Sequence, residues 1–344
     1  MDWTDVESWS RPVPAGQTGA ADPEARWGHR TANLKIQKGE MFWGYYLGAA
    51  TMVADENGPP VAELARRITV CSSAHDPAAA LASVLCALPA DGVPLGDVLA
   101  DSGFSHRVPE TWATPLRAAG AALVQDLHPN DRGPQGTCQG AIICNGSLYC
   151  PAIPKAPLQL VALPPGASDE QVEAHDRQTG ELARYKLGVH AGEDADGYRR
   201  HTCPATAAKI RCPPRPTSMA PRRDRPEILT PPRHPPACCL QQTITTGPQV
   251  AAKTRQKHDY PSKEWRRSYR RRTGAERLNA TVKDPATRSI ARGWIRLLGL
   301  TPTMLFLTCL IAVRNQRILI AHQARQDEDT RLVPRQDLGS EILT

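Results

Sequence analysis

The chain has 344 residues, 40% of them hydrophobic and 22% charged, and carries a formal net charge of +7. That length suits one large domain or two smaller ones with a buried core, and the composition excludes collagen-like, coiled-coil and highly charged disordered classes. Its 32 prolines are about twice the usual share, which demands long irregular stretches, and 3 Phe, 7 Trp and 7 Tyr are too few for base stacking to be the main mode of nucleic-acid binding.

Residues 1–30 are acidic in places and hold no apolar run, so no signal peptide is expected. Met41 to Val53 is rich in aromatic and small apolar residues and leads into Asp55-Glu56-Asn57-Gly58-Pro59, which predicts a strand and a turn. Arg67 to Cys71 is the expected returning strand. Asp76-Pro77 caps a helix that runs to Leu88. Gly96 to Ala100 predicts a short strand ending at Asp101-Ser102-Gly103, Val108 to Gly120 a helix, and Ala121 to Leu127 another strand. Strands alternating with helices argue for an α/β fold with a mixed sheet.

From His128 to Tyr260 the texture changes. Pro-Pro pairs and Gly recur, seven of the ten cysteines lie here, and only Ser168 to Leu187 looks helical. A structureless loop of that length does not belong inside one domain, so the segment reads as an inserted subdomain. The sequence thus divides into 1–127, an insertion at 128–260, a helical part at 261–326 and a mixed-charge tail at 327–344. Leu297 to Val313 is nearly free of charge but shorter than the roughly 20 residues of a membrane span, so a buried helix is expected, with no membrane partner and a cytoplasmic location.

Between Lys253 and Arg296 stand 14 Lys or Arg against 4 Asp or Glu. Such a run is ordinarily a solvated helix face. Here Tyr269, Arg272, Glu276 and Lys283 recur at a spacing that places them on one face of a continuous helix. A carboxylate among Arg270, Arg271 and Arg272 suits phosphate chemistry, in which the acid holds a divalent cation and the bases hold the phosphodiester. Productive metal binding needs further acids. Asp101, at a strand end, is the first of these; Asp2 is the second, with Asp5 as fallback, while Asp55 and Asp91 lie in turns.

Tyr269-x2-Arg272-x3-Glu276-x6-Lys283, with Asp101 upstream in GDVLADSGF, resembles the signature of DDE transposases of bacterial insertion sequences. The resemblance covers about residues 1–326. It implies an RNase H-like mixed sheet flanked by helices and interrupted by a large Pro/Cys-rich insertion. It further implies that Asp2, Asp101 and Glu276 bind two Mg²⁺ (or Mn²⁺), and that Tyr269, Arg272 and Lys283, with Arg270 and Arg271, contact DNA. The activity would be strand cleavage and transfer at transposon ends, acting on end and target DNA as a homodimer in the synaptic complex. Family members carry about a hundred residues or more of helical DNA-binding domain before the first Asp, a size typical of a whole domain. This sequence starts one residue before Asp2, so an N-terminally truncated chain with impaired activity is expected. The alternatives are a non-catalytic DNA-binding remnant and a membrane-surface protein.

Among the cysteines, Cys203-Pro204, Cys212-Pro213, Cys150-Pro151 and Cys238-Cys239 show no pair spaced by two to four residues. The spacing favours plain buried thiols over structural Zn²⁺. Cys71, Cys86 and Cys309 sit in apolar segments and are expected in the core.

Overall fold

The computed structural model describes residues 1–14, 17–30, 41–220, 224–284, 289–290 and 293–332. Arg288 and Arg292 of the basic run, and the tail past 332, lie outside the described residues. In chain order the strands and α-helices are β1 (Asp2–Glu7), β2 (Arg26–His29), β3 (Met41–Thr51), β4 (Ala65–Ser72), α1 (Pro77–Cys86), β5 (Asp97–Ala100), α2 (Ser102–Ser105), α3 (Ala113–Ala118), β6 (Ala122–Gln125), β7 (Pro134–Cys138), β8 (Ala141–Cys144), β9 (Ser147–Tyr149), α4 (Asp169–Tyr185), β10 (Gly188–Ala191), β11 (Arg199–Thr202), α5 (Ala237–Leu240), β12 (Thr243–Thr246), α6 (Lys263–Tyr269), α7 (Thr273–Lys283) and α8 (Leu300–Leu332). The chain is a mixture of helix and strand with several small sheets, compatible with an α/β class. It forms two compact units: Met1 with Ala82–Arg272, and Asp2–Leu81 with the residues from Thr273 onward.

In the second of these units β3 is the central strand. It pairs antiparallel with β1 along one edge, and with β2 and then β4 along the other. Central strands are covered on both faces, which explains why the apolar and aromatic run from Phe42 to Ala50 is buried on both parities. Gly44 is required where β1 comes closest, because a Cβ there would meet the Val6 carbonyl oxygen at 2.1 Å. Val6, Trp43, Tyr45, Leu47 and Ala49 share a core with Leu278 and Val282 of α7 and with Leu307, Leu310 and Ile311 of α8. The Asn315 amide fastens α8 to the start of β4, accepting from Ala65 N–H at 3.0 Å and donating to its carbonyl at 2.9 Å.

The expected buried helix over 297–313 is longer and far more exposed than the sequence suggested. Over residues 300–328 only the stripe Thr303, Leu307, Leu310, Ile311 and Arg314 is buried, while Leu305, Phe306, Cys309, Val313 and Ile320 face solvent. By length and composition the helix is also sufficient to cross a membrane.

In the other unit β5 and β6 form a parallel pair, joined through α2 and α3. Phe104, Trp112, Leu116, Leu123, Val124 and Leu127 are buried about them. Gln125, fully buried at the end of β6, is tied to the segment that leads toward α6. Its N–H donates to Gln256 Oε1 at 2.8 Å, its amide to the Lys253 carbonyl at 2.9 Å, and its Oε1 accepts from Trp112 Nε1 at 3.1 Å. The Pro/Cys-rich segment carries two antiparallel three-stranded sheets, β7-β8-β9 and β10-β11-β12. The β8–β9 turn is Asn145-Gly146, with φ of 49° and 83°, the left-handed pair that Asn-Gly accepts most readily. Helix α4 begins as expected at Ser168, whose hydroxyl accepts from Gln171 N–H while the Gln171 side chain returns to the Ser168 N–H.

Candidate functional site

The carboxyl ends of β5 and β6 gather the chemistry of their unit, as the ends of neighbouring parallel strands commonly do. Asp101 follows β5 and caps α2, its Oδ1 accepting from Gly103 N–H at 2.9 Å. Asp126 follows β6 in the equivalent place, since Ala100 and Gln125 are register partners. Arg132 Nη2 reaches both Asp126 oxygens at 3.3 Å. Burial pushes the Asp126 carboxyl above its ordinary value, and the Arg132 charge offsets only part of that.

Tyr269 lies within electrostatic reach of these two acids, and Arg272 lies over its ring. The Tyr269 ring stacks on Trp265 with centroids 4.8 Å apart, and the Arg272 guanidinium sits 5.6 Å over the same ring. Trp265 is itself buried, edge-on to Tyr260, and donates through Nε1 to the Gln125 carbonyl at 3.2 Å. The Tyr269 phenol is pushed well up by burial. Arg272 works against that, while the negative charges of Asp126 and Asp101 reinforce it. The upstream Asp and half of the Tyr-Arg-Glu-Lys pattern are therefore within electrostatic reach of one another, although 168 positions separate Asp101 from Tyr269 in the sequence.

Two expectations about the pattern are corrected. Its four residues do not share one continuous helix: α6 ends at Tyr269, Arg270–Arg272 form a 3-10 turn, and α7 starts at Thr273. A 3-10 turn winds three residues per turn and breaks the helical phase. Arg271, expected on phosphate, instead turns inward to Asp97 Oδ2 at 2.5 Å and to the Ser268 hydroxyl at 2.5 Å. Much of the basic run is likewise engaged: Lys253 with Asp131, Arg255 with Glu193, Lys257 with Asp97, Arg266 with Asp176 and Arg277 with Glu63. Arg270 is exposed.

The remaining residues of the pattern belong to the second unit. Glu276 is exposed in the first turn of α7. Lys283, at the end of α7, pairs with Asp5 Oδ1 at 2.7 Å, and Arg30 Nε reaches Asp5 Oδ2 at 2.9 Å. Burial tends to raise the Asp5 carboxyl, yet these two cations hold it below its ordinary value. A metal ion at Asp5 would have to displace both. Asp2 lies on the opposite face of β1 from Asp5, by strand alternation, and its Oδ1 accepts from Trp3 N–H at 2.9 Å.

The sequence reading passed over Asp126, Asp97 and a group formed by His106, His128 and Asp131. In this group the ligand atoms lie within 4.8 Å of one another and the imidazole rings are 4.0 Å apart. Lys253 Nζ, 2.8 Å from Asp131 Oδ2, already supplies a cation to that carboxylate. Asp126 was findable. It follows an apolar strand much as Asp101 does, but drawing that strand through Leu127 placed the acid inside it. No protein-family model, curated protein or solved structure matches the chain.

Proposed function

We propose that the chain is a DNA-directed, metal-dependent phosphoryl-transfer protein of the DDE transposase type. The observation that carries this reading is the meeting of Asp101, at the carboxyl end of β5, with Tyr269 and Arg272 in one unit. A strand-end carboxylate and an arginine that share Tyr269 as a neighbour offer the two charges that phosphodiester chemistry needs. The order strand, strand, strand, helix, strand, helix, strand over β1 to β6, counting β2 as an added edge segment, also supports an RNase H-like core.

The donor set suits Mg²⁺. Asp101 is a hard oxygen ligand, and the only hydrogen bond that its side chain makes among the described residues is the one from Gly103 N–H. Asp101 would hold the ion. When bound, the ion would lower the pKa of a water nucleophile and stabilise the leaving oxygen. The protein's own part is positional. Gly103 N–H orients Asp101, the Trp265 stack fixes Tyr269, and Arg272, held over the Tyr269 ring, would contact a phosphate.

The test is Mg²⁺-dependent nicking of supercoiled plasmid by the full chain and by Asp101→Asn, with duplex binding measured in parallel. Nicking that disappears in the variant while binding persists supports the proposal. Binding without nicking in either protein leaves the non-catalytic DNA-binding reading in its place, and absence of both removes DNA from the account.

A further inference from the structure

A charged cleft that shares no residue with the Asp101 site opens where α8 and α7 pass the loop between β3 and β4. It encloses about 720 Å³ and lies wholly within the unit that contains those elements. That is the size of a small-molecule site. On α8, Arg314, Ile318 and His322 recur every four residues and Arg325 follows three later, so one helical face carries all of them to the cleft. Arg277 comes from α7, and Glu63 from the loop before β4.

The charge of the cleft is unbalanced. Three guanidinium groups share it with one carboxylate, a formal excess of two positive charges without His322. Glu63 is already taken by Arg277, whose Nε donates to Oε2 at 2.9 Å and whose Nη2 donates to Oε1. Arg314 is the sharper observation. It is only 7% exposed, yet among the described residues just one of the five N–H donors of its guanidinium finds an acceptor, the Glu63 carbonyl 3.3 Å from Nη1. Its Nε is buried with no partner. Buried donors are nearly always paired, so a buried guanidinium this poorly paired calls for an acceptor from outside the chain. His322 and Arg325 likewise make no hydrogen bond or ion pair among the described residues.

The cleft is also preformed. Asn315, next to Arg314, fastens α8 to β4 through its two bonds to Ala65, and the Pro59 and Pro60 rings stiffen the loop wall. Pro59, Pro60, Val61 and Ile318 make the rest of the lining apolar.

We infer that this cleft binds a phosphate monoester of nucleotide size, its phosphate against Arg277 and Arg314 and its organic body along Ile318 toward His322 and Arg325. A phosphate monoester carries close to two negative charges at pH 7, which matches the excess, and its oxygens accept from several guanidinium donors at once. The apolar lining suits an organic body and has no use for a bare inorganic anion.

The test is calorimetric titration of the full chain with AMP, adenosine and inorganic phosphate. AMP should saturate at one per chain and bind more tightly than either of the other two. Arg314→Gln should weaken AMP binding by at least about 10-fold, the loss expected for a charge-assisted hydrogen bond. Because a buried substitution can fail by misfolding, Arg277→Ala, at an exposed position, should do the same, while Arg317→Ala, exposed on α8 outside the cleft, should leave binding unchanged. No saturation by AMP, adenosine binding as tightly as AMP, undiminished binding in Arg277→Ala, an equal loss in Arg317→Ala, or displacement of AMP by a short DNA duplex overturns the site.

Discussion

Asp101 and Asp126 stand side by side, each one residue beyond the end of its strand. Ala100 and Gln125 are paired in register, and Asp126 N–H donates to the Ala100 carbonyl at 3.3 Å. The two carboxylates are nevertheless held differently: one by a backbone N–H within its own turn, the other by a guanidinium. Of the two, among the described residues, only Asp126 has an ion-pair partner, so Asp101 is the one proposed to receive a metal. Losing the outer partner of a metal ligand typically costs 10–100-fold, and losing the ligand itself costs more. Asp101→Asn should therefore lower the Mg²⁺-dependent nicking rate by at least about 100-fold while leaving the DNA dissociation constant within about twofold. Equal nicking by both proteins would remove Asp101 from the reaction.

Asp126 should reveal itself through pH rather than rate. Its folded-state pKa lies above the ordinary value, chiefly through burial. The unfolded carboxyl then ionises first, so this group lowers stability as pH rises through the carboxylate range, and the loss is complete once pH passes the folded value. Asp126→Asn removes that cost. Arg132 keeps its Nε bond to the Leu127 carbonyl at 2.7 Å and its place over the Tyr260 ring, so it is not stranded. Urea unfolding at pH 7 should show the variant as stable as the wild type or up to about 1 kcal/mol more so, and near pH 4 that advantage should shrink. A variant clearly weaker at pH 7 would mean that the Arg132 pair outweighs burial.

The basic run makes a contrast between neighbours. Arg270 is exposed, whereas the Arg271 side chain is 13% exposed and held by Asp97 and Ser268. If DNA is gripped here, Arg270→Ala should flatten the slope of log K against log salt by nearly one. Arg271→Ala should leave that slope alone and instead destabilise the fold by about 1–3 kcal/mol, because Asp97 loses a partner in a mostly buried pair. The reverse assignment, with Arg271 carrying the salt dependence, would show that the Asp97 pair opens when DNA arrives.

Local signals were legible where one residue type dominates the local energetics. The Asp76-Pro77 helix start holds, with Asp76 Oδ1 accepting from Ala78 N–H at 3.0 Å, and Ser168 caps α4 as its sequence indicates. The strand ending at Asp101 needed only apolar residues and a turn. What stayed hidden depends on partners distant in the chain. Nothing local says that Arg271 belongs to Asp97, 174 positions away, or that Lys283 belongs to Asp5. Charge counts register a basic run, but ion pairing consumes much of it. The strands of the Pro/Cys-rich segment are three to five residues long, too short for alternation to stand out, and the Asn145-Gly146 hairpin turn went unread.

Helix α8 offers the sharpest test of how this sequence uses apolar residues. Leu307 is fully buried against the β3 core, while Leu305 is 60% and Ile320 63% exposed on the same helix. A buried leucine loses both transfer energy and packing when truncated, so Leu307→Ala should cost about 2–5 kcal/mol in urea unfolding. Leu305→Ser removes no buried area and should change stability by about 0.5 kcal/mol or less. Solubility should move the other way, with Leu305→Ser raising it, since contiguous exposed apolar surface promotes association. The two variants together decide which face of α8 is structural. If Leu305→Ser is instead the more damaging change, or if the wild-type chain fractionates with membranes and Leu305→Asp releases it, the outward face of α8 is the functional one and Leu307 serves merely as its anchor.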